Sequence, residues 1–293
     1  MTQAPTARRI LILGASGMLG NAVYRVFAAD KFLSVTGTAR ASVMAKLGDG
    51  LSSKILTGVD VESIDSLVNL LASIKPDVVI NCVGLVKQVD QGNDVLSAIP
   101  INSLLPHRLA KLCALISARL IHVSTDCVFS GARGGYSEAD VPDAQDVYGR
   151  SKLLGEVDYP NAITLRTSII GHELRSGRGL VDWFLAQEGE INGFKRAFFS
   201  GLPTVELAQV IKDYVMPNPS LHGVFHVSAE SISKFDLLTL VAKTYGKSIQ
   251  INPNDSFVID RTLDSTRFRE ATGYRAPSWP ELVQRMHQYF KSM

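Results

Sequence analysis

Arg9-Ile10-Leu11-Ile12-Leu13-Gly14-Ala15-Ser16-Gly17-Met18-Leu19-Gly20 is the stretch whose reading decides how this chain folds. Ile10–Leu13 is an uninterrupted apolar run, the pattern of a strand covered on both faces. The glycines that follow are spaced Gly-x-x-Gly-x-x-Gly and allow a tight turn. A helix is expected to begin near Met18. Strand, glycine turn and helix N-terminus in that order bring backbone N–H groups up to a pyrophosphate. Gly14, Ser16, Gly17, Met18, Leu19 and Gly20 are therefore candidate cofactor contacts. A glycine turn by itself is often only a turn. Its place at the first strand-to-helix junction favours the functional reading.

Outward from this unit, short apolar runs alternate with amphipathic stretches. Strands are expected at Ile10–Leu13, Ser34–Ala39, Lys54–Thr57, Asp77–Asn81, Arg119–Ser124 and Ala162–Arg166, with a later one at Val224–Val227. Helices are expected at Met18–Ala29, Ile64–Ile74, Ala98–Leu115 and Tyr148–Asp158. Such alternation predicts an α/β protein with a Rossmann-type, doubly wound parallel sheet. Between Gly171 and Ser200 the alternation lapses, and from Ser233 the chain reads as mostly helical, ending with Pro280–Phe290. The expected division is a Rossmann domain of residues 1–170 plus 201–232. Residues 171–200 plus 233–293 would form a smaller, mostly helical substrate lobe over the strand ends.

At 293 residues the chain is long enough for one large domain or two intertwined ones. A net charge of +2 gives no electrostatic footprint for nucleic acid. No apolar run reaches membrane-spanning length, and Met1–Arg8 lacks the apolar core of a signal peptide. Cys82, Cys113 and Cys127 have no metal-like spacing and fit reduced thiols in a cytoplasmic protein. No metal is expected.

The chemistry is concentrated at strand ends. Tyr148-Gly149-Arg150-Ser151-Lys152 sets a phenol and an ammonium one helical turn apart. A lysine beside a tyrosine favours the phenolate and lowers its pKa, so Tyr148 could exchange a proton with a developing alkoxide. Carbonyl reduction needs that group once hydride arrives from a nicotinamide. Ser124-Thr125-Asp126 places hydroxyls where the fifth strand leaves the sheet, able to meet both a substrate carbonyl and the tyrosine. Such a pair is otherwise a turn or cap. Cys127 is read as pocket lining.

The second strand ends in Thr38-Ala39-Arg40, with no acid for ribose hydroxyls. Arg40 suits a 2′-phosphate instead, and so NADP(H), with NAD(H) as the alternative. A surface arginine is the plainer reading. Asp60-Val61 is a candidate for the adenine, or Asp60 a helix N-cap. Cys82-Val83-Gly84 would admit the nicotinamide ribose, or serve close strand–helix packing. Arg178 and Arg261 are candidate partners of a substrate diphosphate, although each alone reads more simply as a surface arginine.

Together these segments resemble the extended short-chain dehydrogenase/reductase superfamily, and within it the dTDP-4-dehydrorhamnose reductase family. The carriers are Gly14–Gly20, Ser124–Gly131, Tyr148–Lys152 with Leu153–Glu156, Leu165–Ser168, Gly201–Thr204 and Leu263–Phe268. The resemblance implies that Thr125, Tyr148 and Lys152 form a catalytic triad, that Lys152 also bonds the nicotinamide ribose, and that Asn102 helps organise a proton relay. It further implies reduction of a 4-keto group on a nucleotide-linked deoxysugar, for synthesis of a surface polysaccharide, with a homodimer as a compatible assembly. Cys127 replaces a common tyrosine, and Cys82–Lys87 replaces an alanine-rich stretch. Lys87 is thus either a substrate contact or a solvated loop lysine. Dehydratases and epimerases share the fold, but Asp126-Cys127 stands where dehydratases commonly carry Asp-Glu. A non-catalytic regulatory subunit is the rival from another class.

Overall fold

The computed structural model describes residues 7–40, 54–86, 92–174, 177 and 179–293. Lys87 and Arg178 lie outside the described residues.

Seven parallel strands form the central sheet: β1 (Arg8–Leu13), β2 (Leu33–Thr38), β3 (Ile55–Leu56), β4 (Val78–Asn81), β5 (Arg119–Thr125), β6 (Ala162–Thr167) and β7 (Gly223–His226). Their order is β7-β6-β5-β4-β1-β2-β3. The direction of winding reverses between β1 and β4, where Leu13 lies beside Asn81. Open α/β sheets bind ligands at such a switch point, outside the carboxyl ends of the strands.

Alternate residues of each strand feed two cores. Ile10, Ile12, Val78, Ile80, Ile121 and Ile163 face one side. Leu11, Leu13, Val79, Leu120 and Ala162 face the other, against the helices Ile64–Ile74 and Leu105–Leu115. Burial on both faces explains why these strands read as continuous apolar runs. The first core continues without a break into Val181 and Phe184, Leu237, Leu238 and Val241, and Leu282, Val283 and Met286. These belong to the helices Leu180–Ala186, Lys234–Tyr245 and Trp279–Lys291.

Two local features depart from the sequence expectation. The segment expected as one helix over Ala98–Leu115 runs as Val95–Ala98, a widened turn over Ile99–Leu104, and Leu105–Leu115. Pro100 and Pro106 lack the N–H that a regular α-helix requires, and Leu105 N–H bonds five residues back to the Pro100 carbonyl. The second is that residues 171–200 and 233–293 are not only helical. Glu190–Phe194 pairs in parallel with Gln250–Asn254, and Ala197–Phe199 is flanked by Ile232–Ser233 and Ile259–Asp260. These strands are two to five residues long and include Gly193 and Pro253, which hides them from a periodicity reading.

Candidate active site

The glycine turn is fixed by close approach of backbone to backbone. Gly14 has φ +83°, and a side chain there would also press on Val83 and the Cys82 carbonyl. A Cβ on Gly20 would overlap the Gly14 carbonyl oxygen. The turn is tied to the end of β2 by Ala15 N–H, which donates to the Thr38 carbonyl at 2.8 Å. Leu19 points into the core, so it can offer a ligand only its backbone. The helix Met18–Ala28 starts at Gly17 with neither a side-chain cap nor an acid in its first turn. Its leading N–H groups thus suit an anion, and the exposed Gly17 leaves room for one. A pyrophosphate fits this cradle. A Cβ on Gly179 would stand 3.2 Å from Met18 Cε, so Met18 lies beside Gly179.

Arg40 is exposed just beyond β2. Asp60 does not cap the next helix. Its carboxylate accepts from Glu62 N–H at 2.9 Å, while Ser63 is the cap of Ile64–Ile74. Val61 packs on the second core.

Across the switch point, Cys82-Val83-Gly84 follows β4 and borders Gly14. Asn81 turns the chain here: its Oδ1 accepts from Val83 N–H at 3.0 Å, and its Nδ2 lies 3.2 Å from His122 Nδ1 on β5. Burial holds His122 well below the ordinary histidine range, so it packs here as a neutral ring. A methyl group on Gly84 would stand 3.5 Å from Asn102 Oδ1 and 3.9 Å from Lys152 Nζ. Gly84, Asn102 and Lys152 therefore form one wall. Asn102 is used on both ends of its amide. Oδ1 accepts from Leu85 N–H at 2.9 Å, and Nδ2 donates to Ser151 Oγ at 3.1 Å. Ser151 Oγ in turn donates to the Tyr148 carbonyl at 2.9 Å. Asn102 thus joins the loop after β4 to the helix that carries Tyr148 and Lys152. Ser151 was not singled out from the sequence, although its place between the tyrosine and the lysine was the available signal.

The helix Val147–Leu154 is capped by Asp146, whose carboxylate accepts from Gly149 N–H at 2.7 Å. It lays Lys152 against β5, and Lys152 Nζ donates to the Val123 carbonyl at 2.8 Å. Burial pushes the Lys152 ammonium down to about 8, against the opposing charge of Glu156. Tyr148 is held above the ordinary phenol range. Burial is the main cause, nearby Cys127 adds to it, and a hydrogen bond with the Thr125 side chain opposes it. The sequence expectation of a phenol lowered by its lysine neighbour is therefore not what the site shows. The lysine is turned to a carbonyl, and desolvation of the ring outweighs the helical proximity. A neutral phenol suits proton donation.

Thr125 caps the short turn Asp126–Val128, accepting from Cys127 N–H at 3.1 Å, and also touches Tyr148. Its hydroxyl donates to Asp126 at 3.2 Å. Cap and site contact are the same oxygen. Arg261 Nε donates to the Phe129 carbonyl at 2.8 Å, and its charge acts on Asp126 and Cys127. Lys234 acts on the same two groups. It was missed from the sequence because it belongs to no motif. Burial pushes the Cys127 thiol up to about 12, so it stays uncharged beside Thr125 and Asp126. Behind the site, Glu156 and Arg166 form a buried pair at 2.6 Å, with Ser124 Oγ donating to the same carboxylate.

Among the described residues no group of three or more His, Cys, Asp or Glu side chains could hold a metal ion. No helix among them is long and apolar enough to cross a membrane.

The chain is similar to methionine adenosyltransferase 2 subunit beta of Mus musculus, at 26% identity over 95% of this chain and 90% of that protein. It is likewise similar to dTDP-4-dehydrorhamnose reductase of Aggregatibacter actinomycetemcomitans, at 25% identity over 96% of this chain and 99% of that one. The fold is shared with the dTDP-4-dehydrorhamnose reductase of Bacillus anthracis, solved in complex with NADP. There the TM-score is 0.76 at 22% identity, covering 96% of this chain and 99% of that one. A sequence model of the RmlD substrate binding domain matches residues 8–291, and the chain belongs to that family, within the extended short-chain dehydrogenase/reductase superfamily.

Proposed function

We propose that this protein reduces a 4-keto group on a nucleotide-activated deoxysugar with NADPH, in the cytoplasmic synthesis of a surface polysaccharide. The observation that carries this reading is the contact of Tyr148 with Thr125 at the end of β5, with Lys152 buried one helical turn on. Gly14–Gly20 and the helix start would hold the pyrophosphate, Arg40 the 2′-phosphate, and Asp60-Val61 the adenine. Cys82–Gly84 and Lys152 would hold the nicotinamide ribose. When bound, NADPH supplies a hydride.

The chain's own residues do the rest. Thr125 orients the carbonyl oxygen. Tyr148, kept neutral by burial, gives its proton to that oxygen as negative charge develops there. The phenolate left behind is stabilised by the Thr125 hydroxyl and by the positive charge of Lys152, then recovers a proton from solvent. Asn102 and Ser151 hold the helix in register with the loop after β4. Cys127 and Arg261 line the substrate side.

Similarity to the methionine adenosyltransferase subunit across 95% of the chain favours a second reading, a nucleotide-binding regulatory subunit. The intact Thr125, Tyr148 and Lys152 set supports the enzyme. Asp126-Cys127 after Thr125, in place of Asp-Glu, disfavours a dehydratase. NADPH oxidation against a panel of keto-sugar nucleotides decides between the reductase and the regulatory subunit. A reductase oxidises NADPH with at least one of them, whereas a regulatory subunit binds NADPH and oxidises it with none.

A further inference from the structure

Three consecutive residues at the end of β5 each engage one residue of the helix Val147–Leu154 or the turn that follows it. The Val123 carbonyl accepts from Lys152 Nζ at 2.8 Å, Ser124 Oγ donates to Glu156 Oε1 at 2.8 Å, and Thr125 touches Tyr148. Tyr148, Lys152 and Glu156 are spaced by four, and Glu156 N–H still bonds back to the Leu153 carbonyl. The three side chains therefore form one stripe facing the strand. Tyr148 and Lys152 serve the reaction directly. Glu156 lies behind them.

Arg166 holds Glu156 from the next strand. In register, Ser124 of β5 lies beside Arg166 of β6, which lies beside His226 of β7. Arg166 donates to both carboxylate oxygens, from Nε at 2.8 Å and from Nη2 at 2.6 Å, and its Nη1 lies 3.2 Å from His226 Nε2. With the bond from Ser124, Glu156 accepts three hydrogen bonds, which fits a carboxylate. Burial holds His226 below the ordinary histidine range, so that ring adds no charge. Desolvation offsets much of the attraction within a buried ion pair, so such a pair adds little to stability. Its field on its neighbours remains.

The sheet sets the order of the charges. Arg119 N–H bonds to Asp77 at the head of β4, and Leu120 N–H to Asn161 at the head of β6. Backbone groups of alternate residues face opposite neighbours, so the Val123 carbonyl faces the β4 side. Lys152 is thus held on the β4 side of β5, and Arg166 rises from β6 on the other side. Glu156, bonded to Ser124 on β5 and to Arg166, stands between the ammonium and the guanidinium. It acts on Lys152 across a water-excluded interior, where charges are felt strongly. The other titratable groups around Lys152 are Tyr148, Cys82 after β4 and His122 on β5. Burial holds the phenol and the thiol above their ordinary ranges and the imidazole below its own, so all three are uncharged. Among the described residues, Glu156 is the anion that faces Lys152.

We propose that Glu156, fixed by Arg166 and Ser124, is a positioning residue for the reduction, whose charge keeps Lys152 an ammonium while Tyr148 becomes a phenolate. Without a nearby anion, desolvation would drive the ammonium to release its proton. A neutral amine would then leave the phenolate unbalanced. This rests on the reading that Lys152 supports Tyr148 in reducing a carbonyl, and it names what keeps the lysine charged in a dry site.

The test is an NMR titration of isotopically labelled lysine side chains in the full chain, with the Lys152 signal assigned by its loss in Lys152→Met. It needs no turnover. The wild-type midpoint should lie at about 8. Glu156→Gln keeps the shape of the side chain and should lower the midpoint by at least about one pH unit. The double variant Glu156→Gln/Arg166→Met also removes the arginine that the first would strand. It should move the midpoint the same way by less, and it carries the comparison if the single variant unfolds. Glu156→Asp keeps the charge and should stay near the wild-type value. With a reducible keto sugar, the alkaline limb of kcat/KM should move with the midpoint. The proposal fails if Glu156→Gln leaves the midpoint unmoved, even where stability falls, because the pair is then only a brace. It also fails if the double variant returns to the wild-type midpoint, which would assign the effect to the stranded arginine. A midpoint that moves as expected, in a protein that oxidises NADPH with no keto sugar, would sink the reductase and leave the role of Glu156 in setting the lysine's charge.

Discussion

Lys152 gives the sharpest quantitative test, because its burial fixes both a magnitude and a sign. Its ammonium lies against the Val123 carbonyl in a site that pushes it from 10.5 to about 8. That difference corresponds to about 3 kcal/mol of folding free energy. The direction follows from proton counting. Below about pH 8 both folded and unfolded chains carry the proton. The fold then bears the full desolvation cost. Between about 8 and 10.5 the folded chain has released its proton while the unfolded chain retains it, so the cost is progressively relieved. Stability conferred at this site therefore rises with pH across that window. Urea unfolding of wild type and Lys152→Met at the two ends of the window isolates the effect, since other groups titrate in both proteins. The wild type should gain about 3 kcal/mol on the variant from the acid end to the alkaline end. A constant gap between the two proteins, or a gap that moves the other way, would refute the account of a buried, downshifted ammonium. In the same window kcat/KM should fall as Lys152 loses its charge, while Tyr148 stays protonated.

Three further outcomes follow from the cofactor and substrate surfaces. Arg40→Glu should weaken NADPH binding about tenfold to a hundredfold and harm NADH less, as loss of a charge-assisted phosphate contact requires. Equal affinity of the wild type for both cofactors would remove Arg40 from the phosphate site. Gly20→Ala should abolish NADPH binding measured by fluorescence, because its Cβ collides with the Gly14 carbonyl and displaces the turn. A nucleoside diphosphate at a hundred times its dissociation constant should stabilise the NADPH-loaded protein by about 2.7 kcal/mol. A melting temperature unmoved by any nucleoside diphosphate or its sugar conjugate would leave a plain carbonyl reductase.

The central sheet was legible because Ile10–Leu13, Val78–Ile80 and Leu120–Ile121 are apolar on both faces, which leaves little else for them to be. The glycine turn was legible for a related reason: Gly14 and Gly20 stand where any side chain would collide. Less was readable where tertiary contact decides. The widened turn at Ile99–Leu104 needed the effects of Pro100 and Pro106 to be read in three dimensions, and it sets Asn102 against Ser151. Tyr148 and Lys152 do lie one turn apart on the helix Val147–Leu154, but their spacing carried no information about desolvation, which governs both groups. Ile232–Ser233 belongs to a strand pair too short to leave a pattern in the sequence.

The central claim is hydride transfer to a keto sugar with Tyr148 as proton donor. NADPH carrying deuterium at the transferring position, incubated with a 4-keto-deoxysugar nucleotide, tests it by mass spectrometry of the sugar product. The wild type should yield an alcohol heavier by the one deuterium, and Tyr148→Phe should form it at least about a hundredfold more slowly while binding NADPH equally well. No labelled alcohol from any keto-sugar nucleotide, or full activity in Tyr148→Phe, would contradict the account.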